Sequence, residues 1–290
     1  MHLSVAKHRR QAGEQTAVPA PSQVRPAAFF GLTYLLSWLI WIPLALSHLG
    51  IGPLHIPEGV SSGVRLLGVL MPATSALLLT AWAGGGSALH GLLGRLRIWR
   101  VGWLWWAVAV VVQPGLLVAV GLLYNVFGGR PAVTGLPPVS AAALIVNIVM
   151  LALATLGEEI GWRGVALPAL QRRHSARTAS AILGLLWATW HLPFWLLLDT
   201  FAQFGVGYLL LNYLLILPTT FYITWFFNHS RSSLLLPVAF HVAFNIVNVA
   251  WLPVTTNIRA FGLFIVLQWI IAFLVLPHLE ARQANASSVG

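Results

Sequence analysis

The sequence predicts an all-α protein, a polytopic membrane bundle of about eight transmembrane helices. Of its 290 residues, 58% are hydrophobic and 8% are charged, and the mean hydropathy of +0.83 lies far above that of a soluble domain. Apolar runs of about 20 residues, the length that crosses roughly 30 Å of hydrocarbon, recur along the chain. The sequence shows no internal repeat or heptad run, so we expect a single bundle over residues 27–278.

Eight apolar stretches are the expected membrane spans. The first is expected to act as an uncleaved signal anchor, because the residues before it contain no separate apolar core. The fourth belongs to an apolar stretch that is too long for one ordinary span, and Gly161, Gly164 and Pro168 are the positions where it could bend or end. The spans cover approximately residues 28–48, 66–84, 102–125, 139–163, 178–198, 205–227, 234–252 and 260–277.

Positively charged residues are distributed unevenly over the two ends of this bundle. Twelve of the 16 Lys and Arg residues fall on the side that holds both termini, and three fall on the other. Because cytoplasmic loops carry the excess of positive charge, residues 1–26 and 279–290 are expected to be disordered cytoplasmic tails. Leu and Arg interleave in residues 88–98 and 165–177, which are either interfacial helices or plain basic loops.

The composition also limits the chemistry and the partners. With no cysteine in the chain, disulfides, thiolate catalysis and cysteine metal sites are excluded. The net charge of +10 flanks apolar segments, which is typical of membrane topology and argues against nucleic-acid binding. Fifteen arginines against one lysine suit a bacterium with a GC-rich genome, so the expected location is a bacterial plasma membrane.

The fourth span contains Glu158, Glu159 and Arg163. Ionisable groups are rare inside spans, because each costs at least about 2.5–3.5 kcal/mol at the bilayer centre. On a helix Glu159 and Arg163 share a face and can form an ion pair, whereas Glu158 lies about 100° away. Glu158 is therefore expected to have no local partner and to be the better candidate for chemistry. Gly157 and Gly161 would let another helix approach this turn closely.

Two further spans carry polar groups of the same kind. His191 follows Trp187 by one helical turn, so the indole could wall the imidazole, and Pro193 is expected to bend the chain just after it. His241, Asn245 and Asn248 form one polar stripe, which must face the bundle interior. Each group could also serve a purely structural purpose, as an ion network, a histidine bonded to a backbone carbonyl, or hydrogen bonds between helices.

Taken together, a glutamate, two histidines and an asparagine on three helices can activate water in two ways. Glu158, His191 and His241 could ligate zinc or another divalent metal. Alternatively, Glu158 is a general base, His191 helps to hold the water, and His241 and Asn245 stabilise the oxyanion. Asparagine is a poor zinc ligand and a good oxyanion donor, which favours the version that requires no cofactor.

These segments resemble the CAAX protease and bacteriocin-processing family of intramembrane proteases, which includes the type-2 CAAX prenyl endopeptidases. The family pattern is E-E-x-x-x-R, an aromatic residue followed four positions later by His, and H-x-x-x-N or H-x-x-x-D. The chain reads EEIGWR from Glu158, WATWH from Trp187 and HVAFN from His241. The resemblance covers roughly residues 139–252, which we expect to be the catalytic core, and Trp187 replaces the common phenylalanine.

The resemblance implies that Glu158 activates water with His191, that His241 and Asn245 stabilise the oxyanion, and that neighbouring residues support them. We expect Glu159, Arg163, Trp187 and Asn248 to be those supporting residues. The family has been described both as metalloproteases and as glutamate proteases, so the metal question stays open. The expected partners are a peptide or protein substrate at the membrane and the lipid bilayer; the oligomeric state is unknown.

Two other functional classes fit the same residues. A non-catalytic immunity or scaffold protein would use the polar cluster for packing and for binding a partner. A proton-coupled transporter would use Glu158 as a relay. Transporters often carry paired repeats with interrupted helices, and no such pairing is visible here.

Overall fold

The computed structural model describes residues 24–127, 140–250 and 257–280, which form helices and turns with no strand among them. This confirms the predicted all-α class. The helices of the described residues are α1 (Pro26–His48), α2 (Glu58–Val69), α3 (Met71–Gly94), α4 (Trp103–Val126), α5 (Ala141–Gly161), α6 (Leu167–Gln171), α7 (Ala176–Trp190), α8 (Leu192–Trp195), α9 (Asp199–Phe204), α10 (Val206–His229), α11 (Leu235–Ala250) and α12 (Ile258–Val275).

The helices are those of a multi-pass integral membrane protein. Among the described residues, six helical segments are long and apolar enough to cross a membrane. Helices α7 and α11 have only 15 and 16 residues, and with them the bundle has the predicted number of about eight. The six long segments are Pro26–His48, Gly59–Arg97, Trp103–Val126, Ile145–Gln171, Val206–His229 and Ile258–His278.

The basic segment after the second span is helical. Gly85 leaves the helix of α3 with φ 62° and ψ −159°, a conformation that glycine adopts without steric penalty. Beyond it the chain returns to a helix through Gly94 and one 3₁₀ turn at Arg95–Arg97. Residues 88–97 are thus a helix and not a loop. The other Leu/Arg segment differs, because residues 165–171 simply continue the fourth span before the chain turns.

Hydrogen bonds bring the arginine-rich connections to one end of the bundle. Arg172 donates to the Val24 carbonyl at 2.8 Å, and the Ala176 amide donates to Glu280 at 2.8 Å. Arg231 donates to the Arg100 carbonyl at 2.6 Å. We call residues 24–26, 95–102, 171–176, 228–234 and 276–280 the basic end, and the opposite connections, residues 49–57 and 191–205, the far end. The grouping of these loops on one side is as the sequence predicts.

The bundle includes a few residues of each predicted tail, residues 1–26 and 279–290. Val24 is 3% exposed and Leu279 is 0% exposed, so both pack into the bundle. Val24 accepts from Arg172 and Glu280 accepts from the Ala176 amide, and these hydrogen bonds hold both segments against the bundle. Residues 1–23 and 281–290 lie outside the described part of the chain.

Helix α11 starts inside the bundle instead of at its edge. The Leu234 amide donates to the Arg95 carbonyl at 3.3 Å, and Arg95 in turn donates to the Gly164 carbonyl at 3.1 Å. Ser233, Leu234 and Leu236 are each 0% exposed. Because α11 starts inside the bundle, His241 in its second turn lies at the same depth as Glu158 near the end of α5 and Trp187 near the end of α7.

The fourth span is packed closely against the start of α3, as the glycine spacing predicts. A Cβ at Gly161 would lie 2.6 Å from Pro72 Cβ and 2.8 Å from the Pro72 carbonyl oxygen. A Cβ at Gly157 would lie 2.9 Å from a methyl group of Leu70. The backbones of α3 and α5 therefore approach at a distance that only glycine permits at these positions.

We expect Gly161→Ala to destabilise the bundle by about 1–3 kcal/mol, because the added methyl group must displace backbone atoms of Pro72. Gly115→Ala in α4 is the matched control, since its added Cβ meets no atom within 4 Å. Thermal unfolding in detergent should show a lower Tm for the first variant only. Equal Tm values for the two variants would contradict the close approach of α3 and α5.

Candidate active site

One cavity of about 390 Å³ contains all four side chains that the sequence predicts to be catalytic: Glu158, His191, His241 and Asn245 line it together. They come from α5, the end of α7 and α11, as expected for residues on separate helices. The remaining lining is largely aliphatic and aromatic and consists of Val69, Leu151, Ala154, Trp187, Phe194, Trp195, Leu198, Tyr208, Asn212, Leu215, Ile216, Phe244 and Phe261.

A larger cavity of about 630 Å³ lies elsewhere, at the basic end. Its described lining includes His229, Arg231 and His278 but no carboxylate. It therefore lacks a general base of the kind that Glu158 supplies. The smaller cavity is the one with groups suited to hydrolysis.

Glu158 lies in the wall of the smaller cavity with 5% of its surface exposed. Its Oε2 accepts hydrogen bonds from Trp187 Nε1 at 2.7 Å and from Trp162 Nε1 at 3.3 Å. The prediction that Glu158 has no local partner is therefore wrong, because two indole N–H groups supply neutral donors where the sequence offers no cation. Within the described residues Oε1 makes no hydrogen bond, so one carboxylate oxygen is fixed and the other is left for a further partner.

His191 is the residue at which α7 ends. Its Nδ1 lies 2.9 Å from the Trp187 carbonyl oxygen. Since a carbonyl can only accept, Nδ1 carries a proton and, in the neutral ring, Nε2 has the lone pair. The ring lies near Trp187, as the spacing predicts, with centroids 5.9 Å apart. It also stacks on Trp195 at 5.5 Å with an interplanar angle of 8°.

His241 is tied to the second carboxylate of the pair. Its Nδ1 lies 2.8 Å from Glu159 Oε1, and Arg163 Nη1 lies 3.0 Å from the same oxygen. Glu159 and Arg163 are both 0% exposed and His241 is 2% exposed. The ion pair forms as its i, i+4 spacing predicts, and it stands behind the cavity wall. The Trp187 ring covers the guanidinium, with Arg163 Cζ 4.7 Å from the ring centroid.

Asn245 completes the set on α11. Its Nδ2 donates to Thr155 Oγ1 on α5 at 3.3 Å, which orients the amide toward the same cavity as His241. Thr155 is 0% exposed. Asn248, which the sequence places on the same stripe, has a side chain outside the described part of the structure.

Comparisons with known proteins find similar proteins over this part of the chain. Residues 139–247 match the family model described as type II CAAX prenyl endopeptidase Rce1-like. The chain is also 27% identical over 243 residues to CAAX prenyl protease 2 of Methanococcus maripaludis, which covers 81% of this chain and 87% of that protein. The matched segment contains all four residues gathered in the cavity. The chain is therefore similar to CAAX proteases, both in the segment that carries the cavity residues and over most of its length.

Sequence reasoning missed two residues of this site, Thr155, which orients Asn245, and Trp162. Trp162 donates to Glu158 from one turn further along the chain, and its ring packs edge-on against Phe29 of α1 at 5.5 Å. The sequence does indicate the contact between Trp162 and Glu158, because the two residues have the same i, i+4 spacing that predicts the Glu159–Arg163 pair.

The backbone between the two carboxylates and α6 is also unusual. Trp162–Ala166 forms a π-helical turn, a feature that often marks functional sites. The widened turn presents the Gly164 carbonyl to Arg95 Nη1 at 3.1 Å. The predicted bend near Gly161 and Gly164 thus takes the form of a π turn within a continuous helix.

The metal alternative requires Glu158, His191 and His241 to act as three ligands. Among the described residues, no three His, Asp or Glu side chains are placed to hold one metal ion. As they stand, these residues do not fit a three-ligand metal site, and we assign no step of the reaction to a metal.

We expect Arg163→Met to destabilise the protein by about 3–5 kcal/mol, because it leaves Glu159 buried with one cation fewer. The double variant Arg163→Met/Glu159→Gln should be less destabilised than the sum of the two single variants. Arg173→Met, at an exposed position of the basic end, is the control. The measurement is the Tm of each purified protein in detergent; an Arg163→Met protein as stable as this control would contradict a strong buried pair.

Proposed function

We propose that the chain is an intramembrane endopeptidase that hydrolyses a peptide bond of a membrane-associated peptide or protein, with Glu158 as the general base. The observation that carries this proposal is the convergence of Glu158, His191, His241 and Asn245 on one apolar cavity. Peptide hydrolysis needs a base, a held water and a group that stabilises the oxyanion. These four side chains can supply all three functions.

The proposed base is held in a fixed orientation. Two indoles bind Oε2 of Glu158, at 2.7 and 3.3 Å, which leaves Oε1 to accept a proton from water. In its neutral form, His191 has its lone pair on Nε2, because Nδ1 donates to the Trp187 carbonyl. We assign His191 Nε2 as the acceptor of the second hydrogen of the same water, so that one lone pair of the water oxygen faces the substrate.

His241 and Asn245 are the proposed oxyanion donors. Because Asn245 Nδ2 carries two hydrogens and Thr155 takes one, the other is available for the substrate oxygen. A doubly protonated His241 donates to Glu159 from Nδ1 and can donate to the oxyanion from Nε2. With His241 in that form, the two carboxylates, Arg163 and the imidazolium carry no net charge, which lowers the penalty for burying them.

The reaction follows from these positions. The water oxygen bonds to the carbonyl carbon while Glu158 takes its proton, which gives a tetrahedral oxyanion held by His241 and Asn245. The C–N bond then breaks as Glu158 returns the proton to the leaving nitrogen. The products are a carboxyl terminus and an amine, and Glu158 is again ionised.

The proposed substrate is a peptide with apolar side chains near the bond that is cut, because the cavity is lined mainly by aliphatic and aromatic groups. The name of the archaeal relative indicates that it acts on prenylated proteins, and a lipid-modified C-terminus would also suit such a lining. We place the protein in a bacterial plasma membrane with both termini in the cytoplasm, on the strength of the arginine distribution.

We expect Glu158→Gln to fold normally and to lose about 100- to 10,000-fold in kcat/KM, the contribution of a general base. Glu280→Gln is the matched control, since it makes the same chemical change at the basic end. The assay is cleavage of a quenched-fluorescent peptide library by detergent-purified protein, with and without a chelator.

The outcomes of this assay separate the remaining alternatives. Cleavage that resists the chelator and is lost in Glu158→Gln would support the general-base mechanism. Cleavage that the chelator abolishes and zinc restores would overturn it in favour of a metalloprotease. A Glu158→Gln protein that keeps its biological function would favour an immunity or scaffold role.

Asn245→Ala should reduce kcat by about 100- to 1,000-fold with little change in KM, because an oxyanion donor acts mainly in the transition state. Thr155→Ser retains the hydroxyl that orients Asn245 and should stay within a few-fold of the unmodified protein. Separate kcat and KM values for both variants test the assignment. A rise in KM at constant kcat would instead make Asn245 a substrate-binding residue.

A further inference from the structure

The candidate catalytic cavity is placed asymmetrically between the two ends of the bundle. Its floor is formed by Glu158, Trp187 and His241, which lie in contact near the C-terminal ends of α5 and α7 and in the second turn of α11. Helix α5 runs toward the basic end, and its other lining residues, Leu151 and Ala154, precede Glu158. On α5, therefore, the cavity extends from the floor toward the far end.

The helices opposite α5 give the same direction. Helices α10 and α12 both begin at the far end, since α10 follows residues 191–205 and both helices finish at the basic end. Tyr208 and Asn212 are the third and seventh residues of α10, and Phe261 is the fourth residue of α12. None of the described residues that we assign to the basic end lines the cavity.

The path from the floor to the basic end is closed by packed side chains. Trp162, Arg163, Val165 and Leu167, which follow Glu158 and Glu159 in the chain, are all 0% exposed. The facing residues of the neighbouring helices are buried as well: Ala179 and Leu183 are 0% exposed, Phe240 is 1% exposed, Phe226 is 2% exposed and Phe227 is 3% exposed.

The space on the far-end side of the floor has a simple cause, which is the short length of α7. Its 15 residues span about 22 Å at 1.5 Å per residue, less than the roughly 30 Å of hydrocarbon. Beyond Trp190 the chain makes only the short helices α8 and α9 before α10 begins. Phe194, Trp195 and Leu198 of this segment line the cavity. The missing turns of α7 therefore leave room above the floor.

We propose that the cavity receives its substrate from the far end, and that the far end is the non-cytoplasmic face of the membrane. The second part follows from the arginines, which the described loops concentrate at the basic end. The substrate class is then an exported or membrane-inserted chain whose apolar segment reaches the outer half of the bilayer. Cleavage of that chain rests on the proposed function, whereas the direction of access does not.

The size and lining of the cavity agree with such a substrate. At about 390 Å³, it lies in the range of small-ligand pockets and holds a short stretch of peptide, not a folded domain. Its aromatic and aliphatic walls suit apolar side chains that lie at the depth of the outer leaflet. A soluble polar peptide would lose its hydration there without gaining partners.

The natural absence of cysteine allows a direct test with three single-cysteine variants. Leu198→Cys reports on the mouth of the cavity, His55→Cys on the exposed 49–57 connection of the far end, and Arg173→Cys on the basic end. Intact cells that express each variant are treated with a membrane-impermeant maleimide, before and after permeabilisation. We expect Leu198→Cys and His55→Cys to be labelled in intact cells, and Arg173→Cys only after permeabilisation.

Two results would overturn the proposal in different ways. Labelling of Arg173→Cys in intact cells, with His55→Cys protected, would show the opposite orientation in the membrane. Labelling of His55→Cys but not of Leu198→Cys in intact cells would show that the far end is outside while the cavity does not open to it.

A second measurement separates the direction of access from the catalytic proposal. Right-side-out and inverted vesicles that contain the unmodified protein are given a membrane-impermeant quenched-fluorescent peptide with an apolar centre. We expect cleavage in right-side-out vesicles only, and cleavage confined to inverted vesicles would overturn the proposal. A third outcome is that the cysteines are labelled as expected and the detergent-purified protein cleaves a peptide, but neither kind of vesicle cleaves it. That outcome would overturn substrate entry from the far end. If the purified protein also cleaves nothing, the protease assignment fails and the accessibility result stands.

Discussion

The rest of the structure depends on the buried carboxylate of Glu159. One of its oxygens accepts from Arg163 at 3.0 Å and from His241 at 2.8 Å, so it joins the π turn to α11. The Trp187 ring covers the same guanidinium at 4.7 Å, which brings in α7. Because removing a buried charge from its partners is strongly unfavourable in a membrane, these three elements are held in one relative position. The cavity takes its shape from that constraint.

The two adjacent glutamates show how one helix can give the same side chain two environments. Successive residues point about 100° apart, so Glu159 meets the cation pair while Glu158 meets two indoles and the cavity. Indole N–H groups are neutral, so they orient the Glu158 carboxylate without neutralising it. That difference in surroundings, and not any difference in chemistry between the two residues, is what separates a structural carboxylate from a candidate base.

The sequence predicts much of this site because its polar residues are few and follow helical spacing. Once a segment is known to be helical, its spacing alone predicts two features of the site. These are the ion pair of Glu159 with Arg163 and the shared face of His241 and Asn245. The spans are equally visible, since apolar runs of sufficient length are typical of membrane helices and rare in soluble domains. The close approach of another helix at Gly157 and Gly161 also follows from spacing, whereas only the structure identifies that helix as α3.

What the sequence does not predict depends on partners that are distant in the chain. On ideal helices His191 and His241 fall at different depths, and their convergence requires the recessed start of α11 at Leu234. That start is fixed by the Arg95 and Gly164 carbonyls, and no local pattern indicates it. The role of Trp187 as a donor to Glu158 likewise depends on how α5 and α7 are rotated against each other.

The short α7 raises a problem that the first helix solves. A helix that ends within the membrane leaves carbonyl groups without backbone partners, and hydrocarbon offers no substitute. At the end of α7, Trp38 donates to the Trp190 carbonyl at 3.0 Å, and His191 Nδ1 donates to the Trp187 carbonyl. Tyr34 adds a second donor to the Leu186 carbonyl, one residue before these last four. Helix α1 lies outside the segment that carries the family pattern, yet its side chains satisfy the end of α7. The position of His191, and with it the space above the cavity floor, is therefore set by a helix that contributes no catalytic group.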